Sequence, residues 1–293
     1  MFSSFSRGTS AILSWPRSVN SFAAADRFFF LCRASNSSPH EASRDRRAGQ
    51  RRQASCRRIR VIAQTLIFIP TYNERDNVAL IVPQLVALGL DADLLFIDDN
   101  SPDGTGEALD ALARNHSGMH VIHRSGKLGI GSAHRDGIAY AYDHDYRRLI
   151  TLDCDFSHSP SDIPRLIDAS GGAAVVVGSR YLREDSLAGW NFFRRFMTNL
   201  GHFMTKHAVG IRYDATGALR LYDLTRIPRD VIESVRADGY SFFFESLAAI
   251  QRHGCEIAEI AIVLPARTYG TSKMSVKEIV RSAMRIVALI FRR

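Results

Sequence analysis

From Val61 onward, short apolar runs alternate with stretches whose apolar residues recur every three or four positions. Continuous runs such as Leu94-Leu95-Phe96-Ile97 and Ala173-Ala174-Val175-Val176-Val177 suit strands covered on both faces. Reading the body this way predicts strands at Thr65–Pro70, Asp93–Asp98, Met119–His123, Leu149–Asp153 and Ala173–Gly178. Helices are expected between them at Asp76–Leu88, Thr105–Asn115, Ser132–Asp143 and Ser161–Ala169. Strands that alternate with helices imply an α/β fold, with a mostly parallel sheet and right-handed crossovers. Helix-start signals fit: Ser161-Asp162 precedes one helix and Asp103-Gly104-Thr105 another.

After Tyr181 the rhythm changes. Trp190–Val209 reads as a helix, with Trp190, Phe193, Met197, Leu200 and Met204 at spacings of three and four. Arg194, Arg195, Lys206 and His207 lie among them. A short strand at Ala218–Tyr222, a helix at Phe242–Arg252, a strand at Glu256–Leu264 and a last helix at Ser275–Phe291 complete the expectation. No internal repeat is visible.

Charge changes this picture once it is located. The chain of 293 residues carries +8, but residues 1–60 hold twelve Arg against Asp26, Glu41 and Asp45, about +9, leaving the body near −1. The body therefore offers no nucleic-acid surface. The first sixty residues are Ser- and Arg-rich and aperiodic, and their one apolar patch, Phe28–Cys32, is too short to span a bilayer. They are expected to be a disordered or targeting arm dispensable for folding. Domain boundaries are accordingly set at 1–60 for the arm, 61–275 for a single globular domain and 276–293 for an amphipathic helix. Cys32, Cys56, Cys154 and Cys255 show neither paired nor metal-type spacing, so a disulfide framework and a zinc site are both excluded.

The chemistry concentrates where strands end. Asp153-Cys154-Asp155 closes the fourth strand, and the carboxyl ends of strands line the crevice where open α/β sheets bind ligands. Two carboxylates one residue apart in a strand point to the same side and repel unless a cation lies between them. Hard oxygen ligands, few in number, suit Mg²⁺ or Mn²⁺ with a diphosphate supplying the rest. An isolated D-x-D reads more readily as a strand end followed by an Asp-rich turn. Pro70-Thr71-Tyr72-Asn73-Glu74 ends the first strand; Glu74 can accept hydrogen bonds from a nucleoside and Tyr72 offers a stacking face, or the segment is a turn with a favourable charge at a helix start. Asp98-Asp99 ends the second strand, where buried carboxylates call for donors such as those of a base and ribose. The Gly-rich stretch Arg124–Ala133 can serve an anion at a helix N-terminus or act as a flexible connector. Arg180 closes the fifth strand, and a late loop carries Arg267 and Lys273, placed to fold over a pyrophosphate or to form a solvated turn.

Taken in order, these segments resemble family 2 glycosyltransferases of the GT-A fold, and among them the dolichyl- or polyprenyl-phosphate mannose synthases. The resemblance rests on PTYNE (Pro70–Glu74), DDNSPDGT (Asp98–Thr105), RSGKLGIGSA, DCDFSHSP (Asp153–Pro160), GSRY (Gly178–Tyr181), DATGALR (Asp214–Arg220), FFFE (Phe242–Glu245) and YGTSK (Tyr269–Lys273), across residues 63–275. It implies donor contacts at Pro70, Tyr72, Glu74, Phe96 and Asp98, and diphosphate and metal contacts at Asp153, Cys154 and Asp155. It further implies that Arg180, Arg267 and Lys273 lie near the donor and acceptor phosphates, and that Arg194 and Thr198 hold the acceptor's phosphate with Arg180. Asp155, Arg180, Arg267 and Lys273 are then the expected catalytic residues. Cys154 stands where the family usually has Ala, and the commoner D-x-T-S-G-F-R is altered to DATGALR.

The function this implies is inverting transfer of mannose from GDP-mannose to a dolichyl or polyprenyl phosphate. The alternatives are a UDP-sugar-dependent transferase of glucose type and a non-catalytic nucleotide-sugar or lipid-binding module. A lipid acceptor demands a membrane surface, so the protein is expected to be peripheral on the cytoplasmic face, with a membrane-anchoring partner subunit as a possible addition. Trp190–Val209 and Ser275–Arg293 are amphipathic and fit interfacial helices; the second equally fits packing against the sheet.

Overall fold

A computed structural model describes residues 64–187, 190, 192–264, 282 and 284–288, leaving aside the side chains of 193, 194 and 208. The arm at 1–60, the late loop with Arg267 and Lys273, and most of the last helix lie outside these residues.

Seven strands form one sheet in the order β3-β2-β1-β4-β6-β5-β7. They are β1 (Thr65–Thr71), β2 (Ala92–Asp98), β3 (Met119–His123), β4 (Arg148–Thr151), β5 (Val175–Ser179), β6 (Arg220–Asp223) and β7 (Ile257–Ala261). All pairings are parallel except those of β6, which runs antiparallel between β4 and β5. The connecting helices are α1 (Arg75–Ala87), α2 (Thr105–Ala113), α3 (Ile130–Asp143), α4 (Ile163–Ala169), α5 (Phe192–Met204), α6 (Arg229–Glu233) and α7 (Ser241–Arg252). The mostly parallel α/β sheet flanked by helices is the architecture expected of the sequence.

Period-two alternation splits the core cleanly. Leu66 and Phe68 of β1 face α3, α6 and α7 with Leu95, Leu149, Phe242 and Leu247. Ile67 and Ile69 face α1, α2 and α4 with Val78, Ile81, Phe96, Leu109 and Leu166. Both faces being covered explains why the strands read as unbroken apolar runs. Ile286, in the helical turn at 284–288, is buried within the first of these clusters, so this part of the last helix packs on the domain while Met284 and Val287 face outward.

Four elements differ most from expectation. Strand β7 stops at Ala261, three residues short of Leu264. Strand β4 stops at Thr151, two residues before Asp153. The helix expected over Trp190–Val209 is α5 followed by a π-helical turn at Thr205–Val209, which ends on Gly210 at φ +81°. Helix α6 was not expected at all, because five residues carry too little periodicity to stand out.

The order of connection reverses beside β1, with β2 and β3 on one side and β4 on the other. In open α/β sheets such a reversal marks the ligand-binding crevice, beyond the carboxyl ends of the strands that flank it, here β1 and β4.

Candidate active site

The rim is built from strand tips held in register. Thr71 of β1 lies opposite Asp98 of β2, and its hydroxyl donates to Asp98 Oδ1 at 3.3 Å. Asp98 also accepts from the Ser101 backbone N–H at 2.9 Å and the Ser101 hydroxyl at 2.5 Å. Its neighbour Asp99 is paired with Arg124 at 2.7 Å, both side chains being less than a tenth exposed. The two acids at the buried strand end therefore already find donors within the protein, where the sequence reading offered a base and ribose as natural partners. Glu74 precedes α1 and accepts from Asn77 Nδ2 at 2.5 Å, while its backbone N–H donates to Thr105 Oγ1 at 2.9 Å. Tyr72 is half-buried, with Lys127 Nζ 4.1 Å above its ring centroid, a cation–π contact. Pro70 is half-buried at the end of β1. Phe96 is fully buried among the α1 and α2 contacts, so its side chain belongs to the core and not to the rim.

At the tip of β4 the chain turns instead of extending. Asp155 Oδ1 accepts from the Ser157 backbone N–H at 3.0 Å and the Ser157 hydroxyl at 2.6 Å, and Phe156 takes a left-handed φ of 57°. The same-side argument for a strand thus does not apply to Asp153 and Asp155; a side-chain-capped turn presents them. Both are half-buried, and Asp153 Oδ2 lies 3.9 Å from His158 Nδ1. Cys154 turns its thiol into the core beside Ile150 and Leu152. The crevice side of this turn is thereby left to hard carboxylate oxygens, a donor set that fits Mg²⁺ or Mn²⁺. Among the described residues no three His, Cys, Asp or Glu side chains are placed to hold an ion by themselves.

Past the tip of β5, Arg180 forms a forked pair with Asp214, Nε to Oδ2 at 2.8 Å and Nη2 to Oδ1 at 2.6 Å, and reaches Thr216 Oγ1 as well. The Arg180 backbone N–H adds a third contact to Asp214 Oδ2 at 3.1 Å. Burial alone would raise the Asp214 carboxyl, but Arg180 outweighs it and holds the group at about 2. Burial would likewise lower Arg180, yet Asp214, with a contribution from Asp153, keeps it firmly protonated. Arg180 is expected near the donor and acceptor phosphates; here its fork is engaged by Asp214, and Asp153 is near enough to add to the charge that keeps it protonated.

The family model for glycosyl transferase family 2 matches residues 66–227. The chain is 34% identical to the polyprenol monophosphomannose synthase of Mycolicibacterium smegmatis over 78% of this chain and 88% of that relative. This chain belongs to glycosyl transferase family 2. It is also 32% identical to the undecaprenyl-phosphate mannosyltransferase of Micrococcus luteus, over 72% of this chain and 88% of the other. Among solved structures, mannosyl-3-phosphoglycerate synthase from Rubrobacter xylanophilus shares the fold, with a TM-score of 0.52 at 17% identity, over 78% of this chain and 73% of that one.

For this glycosyltransferase the Gly-rich stretch has a structural task. Gly131 N–H and Ser132 N–H both donate to the Asp238 carbonyl, at 2.8 and 3.2 Å, and Gly129 N–H donates to Asp99 Oδ2 at 3.3 Å. A Cβ at Gly131 would meet the Ala237 and Gly239 carbonyls at 2.6 Å. The start of α3 is thus filled by protein, not held open for an anion.

Thr198 lies on α5, and its carbonyl accepts from the Tyr181 hydroxyl at 3.2 Å; the Arg194 side chain, Arg267 and Lys273 lie outside the described residues. Sequence reasoning passed over Asp214 as the partner of Arg180, Glu259, whose carboxylate accepts the Asp214 backbone N–H at 2.7 Å, and His202. The D-x-T spacing of Asp214 and Thr216 was the available signal, since an Asp two residues before a Thr commonly caps its backbone, as Oδ1 does here at 3.3 Å. Arg220, the last residue of DATGALR, is fully buried and donates to the Phe243 carbonyl at 2.8 Å and the Ala215 carbonyl at 2.9 Å, so it fastens α7 beneath the crevice.

Proposed function

We propose that this glycosyltransferase moves mannose from GDP-mannose to a dolichyl or polyprenyl phosphate, with inversion, on the cytoplasmic face of a membrane that it binds peripherally. The observation that carries the reading is the convergence of the β1, β2 and β4 tips with the Arg180–Asp214 pair at the reversal point of the sheet, in a chain similar to two enzymes named for this chemistry.

The chemistry asks little of a base. A lipid monophosphate has a second pKa of about 6 and is largely ionised at neutral pH. The protein's task is to align two anions and to neutralise the leaving diphosphate. Asp153 and Asp155 would hold Mg²⁺ or Mn²⁺, which as a Lewis acid stabilises charge on the departing diphosphate. Pro70, Tyr72 and Glu74 line the nucleoside side, and Arg267 and Lys273 close on the phosphates. On the acceptor side, Arg194 and Thr198 hold the phosphate, with Arg180 set at the boundary.

Helix α5 supports the membrane part of the reading. Phe192, Phe196 and Phe203 are 85%, 52% and 59% exposed, more than a helix packed on a sheet leaves uncovered. Arg195, Lys206 and His207 are exposed alongside them, the composition of a helix lying in a lipid interface. Among the described residues no helix is long and apolar enough to cross a membrane.

The test is a panel of GDP- and UDP-sugars presented with one polyprenyl phosphate, with Mg²⁺, with Mn²⁺ and with EDTA. Metal-dependent product from GDP-mannose alone is expected. Product from UDP-glucose in its place would overturn the donor, and a sugar covalently trapped on an Asp would overturn direct displacement.

A further inference from the structure

We propose that His202 is an acceptor-binding residue, its Nε2–H donating to the phosphate of the lipid acceptor; this rests on the acceptor reading above. His202 lies one helical turn beyond Thr198 on α5, and side chains four apart share a face. Its ring stacks on Tyr181, with centroids 3.8 Å apart and planes 18° from parallel. Tyr181 follows Arg180 directly, and its hydroxyl donates to the Thr198 carbonyl at 3.2 Å. Helix and strand tip are thus clamped together through Tyr181, and His202 is fixed beside the Arg180–Asp214 pair.

The two ring nitrogens differ. Nδ1 is enclosed with no hydrogen-bond partner, whereas Nε2 is not enclosed. An enclosed N–H without an acceptor is costlier than an enclosed lone pair, so the neutral tautomer carries its proton on Nε2. The charged groups around the ring are Asp214, Lys206, Arg180 and His207. Asp214 is already engaged by Arg180, and the nearby Glu259 carboxylate by the Asp214 backbone N–H. An arriving phosphate therefore meets a fixed N–H with Lys206 close by, and neither carboxylate needs to be displaced. Burial also lowers the imidazole pKa, which agrees with a neutral ring that donates through one nitrogen.

The experiment compares the full-length protein with His202→Phe, which keeps the stack on Tyr181 but has no N–H, and His202→Gln, which keeps a donor. Equilibrium binding of farnesyl phosphate and of GDP with Mg²⁺ is measured for each. Hydrogen bonds to charged groups imply a loss of roughly tenfold for farnesyl phosphate in the Phe variant. GDP binding should be unchanged, and the Gln variant should recover most of the loss. Unchanged farnesyl phosphate binding in the Phe variant overturns the assignment, as does an equal loss for both ligands, which would mark a structural role. A wild-type protein that binds GDP but not farnesyl phosphate overturns the acceptor reading and this assignment with it.

Discussion

Arg180 and Asp214 are joined by two parallel N–H···O contacts at 2.8 and 2.6 Å, with Asp214 wholly buried and Arg180 one-tenth exposed. The pair ties the tip of β5 to the segment that leads into β6, so that two chain segments 34 residues apart form one wall of the crevice.

Removing one partner leaves the other charge buried and uncompensated. Asp214→Asn should destabilise the fold by about 3–5 kcal/mol, read as a lower urea midpoint with an unchanged slope. The same pair sets an acid limit. The Asp214 carboxyl sits at about 2 against an ordinary 3.8, so its contribution is complete above the ordinary value and is lost as pH falls through the folded one.

A second acid limit lies in the core. His134 is fully buried against Phe68, Phe242 and Phe243 with neither nitrogen hydrogen-bonded, and burial, aided by the charge of Arg220, lowers it from 6.5 to about 3. Between those values the unfolded chain binds a proton that the folded one refuses. Stability should therefore be complete above pH 6.5 and fall by up to about 1.4 kcal/mol per pH unit as the solution is acidified. Urea melts at pH 7, 5.5 and 4.5 should show this slope reduced in His134→Leu; an identical slope in both proteins would contradict it.

Asp155→Asn separates charge from shape. The amide Oδ1 can still accept from Ser157, so the turn survives and stability should change by less than about 0.5 kcal/mol. Metal-dependent transfer should fall by roughly two to three orders of magnitude. Retention of transfer in a folded variant would remove Asp155 from the metal site.

The double substitution Phe196→Ser, Phe203→Ser removes apolar surface from the outer face of α5 without touching the core. Each phenyl ring withdrawn from a lipid interface should weaken binding by about tenfold or more. Cosedimentation with anionic liposomes checks this, and undiminished binding would rule α5 out as the contact.

Much of this was legible in the sequence because the sheet is covered on both faces, which makes its strands continuous apolar runs and its crossovers amphipathic. The strand tips at Thr71, Asp98 and Ser179 fall within a residue of expectation. What escaped was pairing across distance. Nothing local to Arg180 indicates that its partner lies at Asp214, nor does the Gly-rich stretch reveal that the Asp238 carbonyl fills the start of α3. The end of β4 was misjudged because Leu152 is apolar and reads as strand, although the chain has already begun the turn that Ser157 and Asp155 close. His134 gave no signal, since a helical histidine followed by Arg135 and Asp136 looks exposed until the facing phenylalanines are known.

The reversed direction of β6 has a consequence for how such an enzyme can diversify. Because β6 enters the sheet from the crevice end, everything between Arg180 and Gly217 is a single excursion that leaves the rim after β5 and returns to it. The tips of β1 and β2, which the proposed reading turns toward the nucleoside, and the Asp153–Asp155 turn after β4 come earlier in the chain. One wall can therefore be rewritten as a continuous cassette while the other is inherited intact; on the proposed reading, a change of acceptor then needs no renegotiation with the nucleotide.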